Sequence, residues 1–166
     1  MLDWAEIVLR LGAATVAGGL IGLNRDLQGK PVGVRTLGLV GLATAMIVVL
    51  AVPVADATRI SDATSRVIQG ILTGIGFLGA GVIVHREKLS HVHGLTSAAC
   101  TWLTACVGIV CGAGYWRIVI VALTLAFIVL LAGGTVERSL HRLLGDRKIR
   151  EDKSTDPVAP ADAPPP

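Results

Sequence analysis

The chain has 166 residues, of which 52% are hydrophobic and only 16% charged, with a formal net charge of +3. Soluble domains of this size carry about 25% charged residues, so a soluble enzyme, a disulfide scaffold and a disordered chain are excluded. Glycine is abundant at 20 residues and aromatics are sparse at 4%, the composition of closely packed transmembrane helices.

The opening Met1-Leu-Asp-Trp-Ala-Glu6 is acidic, the wrong sign for a secretory leader, so the first apolar run is expected to stay in the mature chain. That run covers 7–23, and four more follow over 36–54, 67–84, 95–112 and 118–136. At about 17 to 19 residues each they make roughly 25–29 Å of helix, just enough to cross the hydrocarbon core. The expected fold is therefore all-α, a polytopic membrane protein with about five transmembrane helices forming one glycine-rich domain over 1–136. Eleven Lys and Arg fall in connections 24–35 and 85–94 and in the tail, against three in 55–66 and 113–117. By the positive-inside rule this is an N-out, C-in topology. Residues 137–150 read as a basic juxtamembrane helix and 151–166 as a disordered Pro-rich tail. Basic residues beside spans contact anionic lipid, so the bilayer is the expected partner and nucleic acid is not.

Small residues recur one turn apart: Gly18 with Gly22, Gly70 with Gly74, Gly76 with Ala80, Gly108 with Gly112. Such pairs let helix backbones approach closely, within the chain or between chains, and some could instead unwind to expose carbonyls to an ion. Gly74-Ile-Gly76-Phe-Leu-Gly79 matches a dinucleotide fingerprint literally, but it lies midway along an apolar run where a strand-turn-helix cannot form. Together with Gly81 these glycines read as packing residues. Ser97, Thr101, Thr104, Gly108 and Cys111 line one face of the fourth run, either as a packing face with back-bonded hydroxyls or as the wall of a solute path. Cys100, Cys106 and Cys111 serve as small packing residues in either case.

Polar groups at the span ends are the candidates for function. Asn24, Arg25 and Asp26 with Arg35 and Thr36 crowd one end of the first two runs. Arg66 opens the third run on a face shared with Gln69 and Thr73, and an arginine beside hydrocarbon calls for a partner or for snorkelling. Arg10 is placed to snorkel outward. Thr96 and Thr101 add hydroxyls to the fourth run. Asp56 and Asp62 make at best a weak cation site, and His85, His91 and His93 form an incomplete ligand set, so the metal ligands stay unassigned. No H-E-x-x-H, G-x-S-x-G or phosphate-binding loop occurs, so an enzyme is not expected.

Gly18-Gly-Leu-Ile-Gly22 with Asn24-Arg-Asp26, Pro31-Val-Gly-Val-Arg35-Thr36, Arg66 ahead of Gly74-Ile-Gly-Phe-Leu-Gly-Ala-Gly-Val-Ile83, Gly94-Leu-Thr-Ser-Ala-Ala99 with Trp102, and Gly108 with Gly112-Ala-Gly-Tyr115 together resemble the MgtC/SapB family over about residues 5–135. The resemblance implies a multi-pass protein of the bacterial inner membrane, tied to growth under magnesium limitation, virulence, acid tolerance and stress adaptation. It implies one of two roles. The chain either handles or transports Mg²⁺, or regulates other membrane proteins, such as the proton-driven ATP synthase, without transporting. No cofactor is implied, with Mg²⁺ as substrate or signal, and the partner is a membrane protein or a second copy met through glycine faces. Asn24-Arg25-Asp26 departs from the family's Glu-Arg-Glu, removing one acid, and the cytoplasmic domain that many members carry after the last helix is expected to be lacking.

Overall fold

A computed structural model describes residues 2–51, 61–84 and 94–133. Over these run five helices long and apolar enough to cross a membrane: α1 (Trp4–Leu27), α2 (Val34–Ala51), α3 (Asp62–Val84), α4 (Leu95–Ala113) and α5 (Trp116–Gly133). No strand occurs among the described residues, and the protein is all-α. Asp56, the three loop histidines, the basic segment 137–150 and the tail 151–166 lie outside the described residues.

Several helices outrun the apolar stretches that announce them. α1 begins early because the Asp3 carboxylate accepts the Trp4 N–H at 2.8 Å and Glu6 sits in the first turn, where the helix dipole favours an acid. It ends after Leu27, where the Gln28 and Lys30 amides both donate to the Arg25 carbonyl, at 3.1 and 3.0 Å. Hydropathy stops at the first charged residues, whereas a helix continues until its end groups are satisfied. Arg10 consequently stands almost two turns inside α1, and Arg66 lies in the second turn of α3 rather than at its start.

Two compact units divide the chain, residues 1–125 and 126–166. The second is described only over 126–133, the last turns of α5. In the first, α1, α2 and α4 pack as a three-helix core. Gly18 lies against Leu37, Gly22 against Val34 and Gly41 against Ala14, so α1 and α2 run antiparallel; Gly108 lies against Gly41 and Gly112 against Ala45, so α2 and α4 run parallel. α3 runs antiparallel to α4, with Gly79 facing Ala98 and the chain at Gly94 meeting Val82. These alternating directions are those of a chain crossing a membrane repeatedly.

Ala14, Ala17, Ala45, Val107, Cys111 and Val119 fill the core. With side chains this small the helices approach nearly backbone to backbone, which is how association proceeds where lipid offers no hydrophobic drive. α3 joins the edge of this core through Ile75, against Val40 and Ala105. α4 is bounded by two glycines in the left-handed region, Gly94 at φ 100° and Gly114 at φ 81°. The Gly114 amide closes the helix on the Cys111 carbonyl at 3.0 Å, a C-terminal turn that an L side chain resists.

Candidate functional site

The polar triplet at the end of α1 does not form one cluster. Successive helical residues are about 100° apart, and the three side chains accordingly go to different neighbours. Asp26 turns to α2, where its carboxylate accepts the Val34 N–H at 3.0 Å and caps the first turn of that helix. Gly33 is pressed against the same carboxylate, with no room for a Cβ. Asn24 accepts from Gln28 at 3.1 Å while its own amide nitrogen is buried without a partner.

Arg25 turns to α4. It is only 3% exposed, donates through Nη2 to the Ser97 hydroxyl, and leaves Nε without an acceptor. Among the described residues the one ion pair is Glu6 with Arg10, so no described carboxylate balances the Arg25 guanidinium. A buried charge in this condition is costly, and here it lies at the first turn of α4, which itself carries partial positive charge.

The opposite end of α1 holds Arg10. Its Nε pairs with Glu6 at 2.8 Å and its Nη1 donates to the Gly112 carbonyl at 2.8 Å. Rather than snorkelling to the surface, the side chain spans to α4 and satisfies a terminal carbonyl that the helix cannot.

The hydroxyl face of α4 is closed. Thr101 and Thr104 are buried and bond back to the carbonyls of Ser97 and Cys100, at 2.9 and 2.8 Å. Thr44 of α2 does the same toward Val40 at 2.8 Å. Thr96 is exposed at the start of α4, and Arg35 and Thr36 are exposed at the start of α2. The cysteines are free. Among the described residues no group of three or more His, Cys, Asp or Glu could hold a metal ion.

The glycines divide into two sets. A Cβ on Gly22 would lie 2.6 Å from the Val34 Cα, and one on Gly112 would lie 2.6 Å from the Ala45 carbonyl oxygen. Gly18 and Gly108 are packed as tightly, against Leu37 and Thr44. On α3 the picture reverses: Gly70, Gly74, Gly76 and Gly81 have nothing within 4 Å, and Gly79 meets only Ala98 at 3.7 Å. Arg66, Gln69 and Thr73 are exposed on the same side as Gly70, Gly74 and Gly81, and the Thr73 hydroxyl bonds back to the Gln69 carbonyl at 2.8 Å.

Sequence reasoning passed over Gly33, Gly41 and the Arg10 bridge. Gly41 was findable, since Gly41 and Ala45 are a further small pair one turn apart. Gly33 and the reach of Arg10 to Gly112 depend on neighbours distant in sequence and leave no local signal.

The chain matches the family model described as MgtC family over residues 11–139. Protein SrpB of Synechococcus elongatus is 39% identical over 124 residues, covering 70% of this chain and 68% of its own length. "Putative magnesium transporter YhiD" of Escherichia coli is 35% identical over 130 residues, or 76% of this chain and 60% of its own. Protein MgtC of Salmonella typhimurium is 35% identical over 136 residues, or 82% and 54%. The chain thus spans about half to two thirds of the length of these relatives. No solved structure matches it.

Proposed function

The chain belongs to the MgtC family, and from that premise we propose that it serves magnesium homeostasis as a membrane-embedded regulator, not an enzyme, docking through α3 on a transmembrane helix of another protein. The observation that carries this reading is the character of the open face of α3. A helix side turned to lipid presents large apolar residues, as α5 does with Ile120, Val121 and Leu125. Over its first half α3 instead turns outward Arg66, Gln69, Gly70, Thr73 and Gly74, and large apolar residues, Phe77 and Leu78, are exposed only beyond them. Small residues flanked by hydrogen-bonding groups suit a second helix at close range.

The partner is a helix with small residues at the crossing and a carboxylate near the depth of Arg66, which has no ion pair among the described residues. A second copy suits the face less well, because a two-fold axis along the membrane normal sets Arg66 at the same depth as its mate. The magnesium connection rests on the name of the Escherichia coli relative. Location in the inner membrane, N-terminus outside and C-terminus in the cytoplasm, rests on the excess of basic residues on one side.

Transport is the competing reading. Selective handling of Mg²⁺ needs oxygen ligands, usually carboxylates with retained waters. Between α1 and α4 a divalent ion would instead meet the unbalanced Arg25 guanidinium, with no described carboxylate beside it.

The test is a photo-crosslinking amino acid at Thr73, with Val121 of α5 as the lipid-facing control, in native membranes. We expect one defined protein adduct from position 73, none from 121, and loss of the adduct on Gly74→Leu together with growth at limiting magnesium. An adduct of twice the chain's own mass, or none, overturns the reading. So does saturable Mg²⁺ flux by the purified protein alone in liposomes.

A further inference from the structure

A groove of about 350 Å³ opens between α2 and α3, walled by Leu39, Ala43, Ile75 and Leu78, with Arg35 and Thr36 at one end. A second groove of about 390 Å³ shares Leu78 as a wall and is otherwise lined by Phe77, Gly81, Val82, Pro31 and Val32. Both grooves are apolar, and they lie toward the helix end where the chain turns back from α1.

Charge gathers at that end. Arg35 is exposed and makes no ion pair among the described residues, and Lys30 is exposed in the preceding turn. Asp26 takes the Val34 amide and Gly33 the Leu37 amide, which leaves the Arg35 and Thr36 amides without acceptors in the helix. The partial positive charge of a helix N-terminus adds to the guanidinium, and Asp26 offsets only part of the sum. An apolar groove closing on a cationic, hydrogen-bond-donating rim has the chemistry of a phospholipid, acyl chain inward and phosphate at the rim.

We propose that the α2–α3 groove is a site for an anionic phospholipid, with an acyl chain along Leu39, Ala43 and Leu78 and the phosphate held by Arg35 and Thr36. A free phosphate would leave the groove unfilled, and a zwitterionic lipid brings no net charge to the rim. The site is independent of the docking reading, which concerns Arg66 to Gly74 on the other half of α3.

The full chain is reconstituted in vesicles of equal phosphatidylglycerol and phosphatidylcholine, re-extracted in mild detergent, and weighed with its retained lipid by native mass spectrometry. Each basic residue near a headgroup favours an anionic lipid about fivefold, and that is the expected preference of the first retained lipid. Arg35→Gln should lower that preference severalfold, toward parity. Ala43→Phe, whose ring occupies the groove and leaves the charge in place, should lower retention of both, with helix content checked by circular dichroism. Equal retention by the unaltered chain overturns the proposal, as do unchanged preference in Arg35→Gln, unchanged retention in Ala43→Phe, or displacement of the lipid by inorganic phosphate.

Discussion

Substituting one methyl group for hydrogen at two glycines separates the packed from the open set. On Gly112 the new Cβ would meet the Ala45 carbonyl oxygen at 2.6 Å and the Ala45 Cα and Val48 Cβ at 3.0 Å. Comfortable contacts lie near 3.5–4.0 Å, so α2 and α4 must part by roughly 0.5–1 Å, forfeiting a quarter to a half of each dispersion contact along the seam. Overpacking of this kind costs about 1–3 kcal/mol. On Gly74 the same methyl meets nothing within 4 Å, leaving only the helix-propensity gain that alanine brings at both sites. Subtracting one variant from the other removes that shared gain. Unfolding by SDS titration in mixed micelles should therefore show Gly112→Ala less stable than Gly74→Ala by about 1–3 kcal/mol. Equal midpoints would refute the close approach of α2 and α4.

The same titration checks the polar bridges. Arg10→Met strands the Gly112 carbonyl and should cost about 1–3 kcal/mol, whereas Glu6→Gln should cost under about 1 kcal/mol, because that pair is partly exposed; equal losses would assign the stability to the ion pair instead. Asp26→Ala should lose about 0.5–2 kcal/mol of capping, while Asp26→Asn, which keeps an acceptor for the Val34 amide, should lose less. Arg25→Met should leave stability unchanged or raised, since an apolar side chain of similar length replaces an unbalanced buried charge; a loss comparable to that of Arg10→Met would mean the guanidinium is balanced after all. Gln69→Leu should keep or raise stability yet abolish the position-73 adduct, and an undiminished adduct would show that Gln69 has no part in docking.

The spans were legible because hydropathy over a 20-residue scale reports directly on the solvent a helix meets. Their ends were not, because Asp3 and Gln28 are polar and look like loop until their capping bonds are seen. The glycine pairs show the same divide. Gly70–Gly74 and Gly108–Gly112 read identically in one dimension, yet only the second lies on the face that α4 turns to its neighbours. Nor could the run Asn24-Arg25-Asp26 disclose that its members separate, one capping α2 and another reaching α4. Their shared position was a property of the chain, and their partners a property of the packing.

Gln69 decides how the face of α3 should be understood. Arg66 stands about 6 Å along the axis from the helix start, close enough for its long stem to carry the charge back to water. Thr73 lies deeper but satisfies itself on the Gln69 carbonyl. Gln69, about 10 Å along the helix, has neither escape: its amide offers two donors and an acceptor, and its side chain makes no hydrogen bond among the described residues. Left in hydrocarbon, an amide costs roughly 2–7 kcal/mol, comparable with the whole stability of many domains. Gly70 and Gly74, which follow it along α3 with nothing within 4 Å, leave room for another backbone to approach it. A helix seated there removes the penalty and fills the gap in one step, whereas lipid can do only the second.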